Sequence, residues 1–125
     1  MPYKSFRLSV AEDLHKRIKL LSIRRRANNL PMASISDIVG QAISDWLSEG
    51  QPPCNRPTVA KSKGIQTTFK LLDPEVTSLY TQAIIDRLER DPMRRSGARL
   101  DKRETDALLD WWLKKNLREL EPLRV

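Results

Sequence analysis

Histidine and cysteine are almost missing from this chain. Across 125 residues there is one of each, His15 and Cys54. A single cysteine forbids an intrachain disulfide, and a reducing compartment is its simplest setting. One cysteine and one histidine cannot build a Cys/His metal cluster. Glycine is scarce, with four residues, and none of them forms a phosphate-cradling loop. No Ser/His/Asp arrangement is visible either, and the carboxylates are spaced with Lys and Arg as on solvated helix faces. These absences argue against an enzyme, and neither a cofactor, a metal nor a small-molecule substrate is expected. No apolar run approaches the roughly 20 residues needed to span a bilayer. The opening MPYKSFRLSV lacks the apolar stretch and cleavage site of a secretory signal. No membrane partner is expected, and a cytoplasmic location is.

What is present is charge, chiefly positive. Charged residues make up 31% of the chain and hydrophobic ones 39%, with a net charge of +7. This is a globular composition whose balance favours a polyanionic partner. The excess is concentrated early. Residues 1–50 carry eight Lys/Arg against five Asp/Glu, and residues 51–64 carry three against none. Residues 65–125 are nearly balanced, at twelve against eleven.

The chain divides by periodicity. In KSFRLSV, Phe6, Leu8 and Val10 alternate with Ser5, Arg7 and Ser9, which predicts a strand with one apolar face. Leu14, Ile18 and Leu21 then recur at helical spacing, with Glu12 and Asp13 in the first turn. Asn28, Asn29 and Pro31 end this helix. A second helix opens at Ser34 or Ser36 and carries Ile35, Ile38, Val39, Ala42, Ile43, Trp46 and Leu47 until Gly50 stops it. Residues 51–64 hold Pro52, Pro53 and Pro57 and no period, and they read as a basic linker.

The order then repeats. Ile65, Thr67, Phe69 and Leu71 alternate with Gln66, Thr68 and Lys70. Asp73-Pro74-Glu75 is a strong helix start, and Val76, Leu79, Tyr80, Ala83 and Leu88 line the helix that follows. A loop around Pro92 and Gly97 leads to a last helix, in which Asp101 and Glu104 match a capping box and Leu108, Leu109, Trp112 and Leu113 form the stripe. Phe69 follows Phe6 by 63 positions, and Trp112 follows Trp46 by 66. The expected organisation is a first strand–helix–helix unit at 1–50, a linker at 51–64, and a second unit at 65–125 with a C-terminal helix extension. The fold class is mainly α with a two-stranded antiparallel ribbon.

A lone strand leaves its backbone groups unpaired, and one such unit is too small to bury a core. Paired copies resolve both problems, with Phe6, Leu8, Phe69 and Leu71 facing the helices. Ser5, Arg7, Ser9, Gln66, Thr68 and Lys70 then share the outer face. Such a ribbon fits the major groove of B-DNA, where Arg reads guanine, Gln reads adenine, and Ser, Thr and Lys supply further contacts. The same residue types also occur on ordinary solvated strand faces. An extra residue, Leu72, precedes the second helix start, and a bulge there would exchange the two faces of the second strand.

The segments FRLSV and SISDIVGQAISDWL resemble the ribbon-helix-helix family of Arc, MetJ and CopG-type repressors. Two copies in one chain resemble the TraY-like tandem form. The resemblance implies an intramolecular pseudo-dimer whose outward strand residues, Ser5, Arg7 and Ser9 with Gln66, Thr68 and Lys70, contact bases in double-stranded DNA. The implied function is a transcriptional regulator, repressor or activator, of a bacterium, phage or mobile element. An accessory factor of conjugative transfer and an antitoxin-like interaction module are the alternatives.

Basic residues around the turns between helices, Arg24, Arg25, Arg26, Arg94, Arg95, Arg99 and Lys102, are candidate phosphate contacts, as are Lys4 at the start of the first strand and Lys61 and Lys63 just before the second. Ser34 and Ser36 join them at a helix N-terminus, where free amides suit a phosphate. Short Arg runs also sit naturally at helix C-termini. Trp46 and Trp112 are expected in the core, Trp111 on a face suited to self-association, and His15 on a partly exposed helix face. Self-association on tandem DNA sites is a further expectation. RNA is disfavoured because the strand Phe residues point inward, leaving no stacking platform.

Overall fold

The computed structural model describes residues 4–54, 64–71, 73–94 and 99–116, with the side chains of Lys4 and Ser5 outside the description. The elements run β1 (Lys4–Ala11), α1 (Glu12–Ala27), α2 (Ile35–Ser48), β2 (Gly64–Leu71), α3 (Pro74–Arg90) and α4 (Lys102–Lys115). The chain is mainly helical with one two-stranded antiparallel sheet.

Local sequence accounts for most boundaries. Glu12 and Asp13 occupy the first turn of α1, and Arg24, Arg25 and Arg26 its last, both favourable to the helix dipole. The backbone then turns through Asn29 at φ 54°. The amides of Asn29 and Leu30 donate to the Arg26 and Arg25 carbonyls, a Schellman closure that uses Asn at the left-handed position. Helix α2 ends the same way through Gly50 at φ 81°, whose amide and that of Gln51 donate to the Leu47 and Trp46 carbonyls. At their starts, the Ser34 hydroxyl accepts from the Asp37 amide at 3.0 Å, Asp73 from Glu75 at 2.9 Å and Asp101 from Glu104 at 2.7 Å. Ser34, not Ser36, is therefore the cap of α2.

The ribbon register is unbroken from Lys4 opposite Leu71 to Ala11 opposite Gly64. Gly64, counted with the linker from sequence, is thus a strand residue. Leu8, Val10, Phe69 and Leu71 are buried beneath the ribbon, and Phe6 stacks on Phe69 with ring centroids 5.2 Å apart. One hydrophobic cluster takes residues from every strand and helix. Each fully buried Leu, Ile or Phe contributes about 1.5–3 kcal/mol.

The connection between the halves is crossed. Helix α2 packs on β2, α4 on β1, and α2 on α4. Gly40 makes the first contact possible, because a Cβ there would collide with the Lys70 carbonyl oxygen. At the second, the buried Asp106 carboxylate accepts from the Ala11 amide at 2.8 Å and from Lys102 Nζ at 3.1 Å. Trp112 ties α4 to α2, and Trp46 bonds to the segment that follows α2. Trp112 Nε1 donates to Asp45 at 2.8 Å, and Trp46 Nε1 donates to the Pro52 carbonyl at 3.1 Å. Arg25 lies 5.9 Å from the Trp112 ring centroid and Arg87 lies 5.8 Å from that of Trp46.

One core expectation needs correction. Leu79 is 45% exposed, while Ile84 faces the core of α3 instead. A helix turns by about 100° per residue, and a stripe drawn through Tyr80 and Ala83 takes in Ile84 and leaves Leu79 at its edge. Glu104, at the position of the apolar Ile38, is paired with Arg87 at 2.6 Å. Leu72 and the tail beyond Asn116 lie outside the described residues.

Candidate nucleic-acid interface

The outer face of the ribbon is built by alternation alone. Odd positions of β1 and even positions of β2 share one side because directly opposed residues in an antiparallel pair project together. Arg7 stands opposite Thr68, Ser9 opposite Gln66, and Ser5 opposite Lys70. Arg7, Gln66, Thr68 and Lys70 are exposed and Ser9 is half-buried. Ser5 is placed here by register only. The six sequence-selected positions therefore fall on one face, with no exchange of sides along β2. At eight residues per strand, the ribbon extends over roughly 25 Å.

The far end of this face is closely fitted. The Ser9 hydroxyl lies where a Cβ on Gly64 would collide with it, and Lys102 Cε approaches that same point at 3.4 Å. Lys102, about one-third exposed, is held there by Asp106. A groove of about 250 Å³ borders the other end, between Gln41 of α2 and Lys70, with Asp37 and Asp73 on its rim.

The phosphate candidates separate into three groups. Arg26 and Arg99 are exposed, and Arg24 is half-buried. Arg25 and Arg94 are corrections. Arg25 is 5% exposed, and its Nη1 donates to the Met32 carbonyl at 3.0 Å and to Gln41 Oε1 at 2.9 Å. It locks the turn between α1 and α2 rather than facing solvent. The Arg94 side chain is 9% exposed and lies 3.7 Å from Glu104. Both arginines sit where a helix end meets its successor, and burial there recruits a cation that satisfies carbonyls or a carboxylate. Lys61, Lys63 and Arg95 lie outside the described residues, as does the Lys4 side chain. Ser34 uses its hydroxyl for the cap, and among the described residues the half-buried Ser36 hydroxyl has no hydrogen-bond partner.

Further side chains have settled roles. Trp46 and Trp112 are buried. Trp111 is half-buried against the core, with Lys115 Nζ 4.5 Å from its ring centroid. The Cys54 thiol donates to the Pro52 carbonyl at 3.2 Å, and burial pushes its pKa up against the lowering contact with Trp46. Burial alone would raise Asp110 as well. Its hydrogen bonds and ion pairs with Lys114 and Arg17, at 3.0 and 3.1 Å, outweigh that and hold it below the usual carboxylate range. Sequence reading passed over Asp106 and Asp45, whose partners lie far away in the chain. Gly40 did carry a signal, since a glycine inside a helix marks a close approach.

Among the described residues no helix is long and apolar enough to cross a membrane, and no group of His, Cys, Asp and Glu is placed to hold a metal ion. No protein-family model, curated protein or solved structure matches this chain.

Proposed function

We propose that this chain is a non-enzymatic, sequence-specific double-stranded DNA-binding protein. In this reading two tandem ribbon-helix-helix units form an intramolecular pseudo-dimer and the ribbon enters the major groove. The observation that carries it is the outer face of β1 and β2. Four exposed side chains there, Arg7, Gln66, Thr68 and Lys70, together supply the donors and acceptors used on base edges. The crossed packing of α2 on β2 and α4 on β1 supports the pseudo-dimer, because each half completes the other's core. Arg26 and Arg99 remain as phosphate contacts, which position a protein without reading sequence. The role is that of a transcriptional regulator. Because Arg7 faces Thr68 rather than a second Arg, the ribbon suits a site without palindromic symmetry.

Selection of bound genomic fragments at roughly 150 mM salt, where loose electrostatic binding is suppressed, tests this directly. The expected result is a short asymmetric motif beside promoters. A motif beside a transfer origin would assign the protein to conjugation instead. Arg7→Ala should weaken binding to the motif by about 1–3 kcal/mol and relax one base position. Recovery of no motif would overturn the reading.

A further inference from the structure

The two ends of the ribbon meet helix starts that differ in charge. At one end Ser9 faces Gln66 and Ala11 faces Gly64, and α4 begins beside them. Lys102 lays its stem over Gly64, with Cε 3.4 Å from the point that a Cβ there would occupy. That point lies on the outer face, in line with Gln66, Thr68 and Lys70. Asp106 holds the Lys102 ammonium at 3.1 Å and is itself fixed on the Ala11 amide at 2.8 Å. An ammonium has three donors, so two remain for another acceptor, and the side chain is 37% exposed. At the other end Ser5 faces Lys70, and α2 begins. The step of 66 positions from Trp46 to Trp112 also takes Ser36 to Lys102, Asp37 to Arg103 and Gly40 to Asp106. Helix α2 has no Lys or Arg at all. Its start has the half-buried Asp37, which lines the same groove as Lys70. Other charges are matched or engaged. Glu12 and Asp13 open α1 as Asp73 and Glu75 open α3. Arg26 and Arg99 precede the two starts, and Asp101 and Glu104 are taken up by the cap and by Arg87.

We propose that the ribbon holds the DNA backbone unequally, with Lys102 gripping a phosphate at the α4 end and Asp37 keeping the backbone off at the α2 end. This rests on the DNA-binding function proposed above. There the outer face of the ribbon meets bases, and what flanks its ends meets phosphates. A lysine holds a phosphate as a compact point charge, whereas a carboxylate facing one opposes binding. Lys70 does not offset Asp37, because it stands on the ribbon among the base-reading positions. The chain therefore lies on an asymmetric motif in one orientation, with its tight end always on the same side.

Phosphate-ethylation interference on the selected motif, with the full chain, is the experiment. Ethylation removes the charge of one phosphate at a time. Interference should be strong at phosphates flanking one end of the motif and weak at the other. Lys102→Gln keeps a stem over Gly64 and removes the charge. It should erase the strong signal, weaken binding roughly three- to tenfold at ~150 mM salt and lower the salt slope by about one. Asp37→Asn should tighten binding roughly twofold or more and strengthen the signal at the weak end. Both side chains are partly exposed, so the thermal midpoints should stay near that of the parent. Failure to bind any duplex would overturn the DNA-binding function and this inference together. A bound motif with equal interference at its two ends would overturn this inference alone. So would a Lys102→Gln pattern like the parent's, or an Asp37→Asn chain that binds no tighter.

Discussion

The two halves of the chain reach the same layout by different chemistry. Helix α2 comes close to β2 because Gly40 has no side chain to hold it off the Lys70 carbonyl. At the corresponding seam, α4 is held to β1 by the Asp106 carboxylate on the Ala11 amide. One seam works by removing atoms and the other by adding a hydrogen bond. The arginine–tryptophan contacts, in contrast, are alike: Arg25 on Trp112 and Arg87 on Trp46, at 5.9 and 5.8 Å. The contacts that cross the seam are alike, while the means of closing it differ. Each half therefore depends on residues of the other, and the comparison can be broken by mutation.

The largest effect is expected at the tryptophans. Trp112→Ala should destabilise the chain by about 3–5 kcal/mol, read from urea unfolding. Trp46→Ala should cost less, because Trp112 is the more deeply buried and its loss also strips Asp45 of a partner. Equal costs would mean the two positions are more alike than their hydrogen bonds suggest. The seams come next. Gly40→Ala forces α2 away from β2 and should cost about 1–3 kcal/mol. Asp106→Ala leaves a buried amide unpaired and should cost about 1–3 kcal/mol. If only one seam responds, the ribbon is anchored from one side.

The arginines sharpen the contrast between architecture and surface. Arg25→Ala should lower stability by about 1–3 kcal/mol, since it leaves Gln41 and the Met32 carbonyl without their donor. Arg26→Ala should change stability by less than about 0.5 kcal/mol. On the DNA reading it should instead reduce the salt slope of binding by about one. Equal stability losses would place Arg26 in the fold as well.

Asp110 connects the halves through Arg17 and gives a pH-dependent test. Its pKa is depressed in the fold, so the stability it contributes is present above the unfolded carboxylate pKa. That stability is lost as pH falls through the lower folded value. Asp110→Asn should therefore be less stable than the parent at neutral pH, and the gap should close in acid. A constant gap would mean that packing, not charge, is what the substitution removes. The smallest effect concerns Cys54, whose raised pKa leaves less thiolate at pH 8. Its alkylation should be slower in the native chain than after unfolding in urea, and equal rates would place the thiol in open solvent.

Much of the fold was legible because it depends on local rules. Strand alternation put Arg7, Thr68 and their neighbours on one face, and Asp73-Pro74-Glu75 and Gly50 set helix ends through their own backbone chemistry, while the choice of Ser34 over Ser36 as the cap of α2 came from the structure. On α3 the stripe through Tyr80 and Ala83 takes in Ile84 and leaves Leu79 at its edge, so the expectation that put Leu79 in the core did not follow the period closely enough. Period also favours Arg25 within the run Arg24-Arg25-Arg26, since at about 100° per residue it continues the stripe of Leu14, Ile18 and Leu21, but that an arginine can be buried there depends on Gln41 and the Met32 carbonyl.

What the sequence determined by itself is therefore the order of the elements, their caps and the two faces of each strand, all of which follow from neighbours within a few residues. The tertiary structure alone decided which strand each second helix lies on. It also decided which polar groups are buried in pairs and which apolar residues are left outside. Those outcomes depend on residues up to 95 positions apart, as Ala11 and Asp106 are, and no local pattern records which distant partner will satisfy a buried amide or carboxylate.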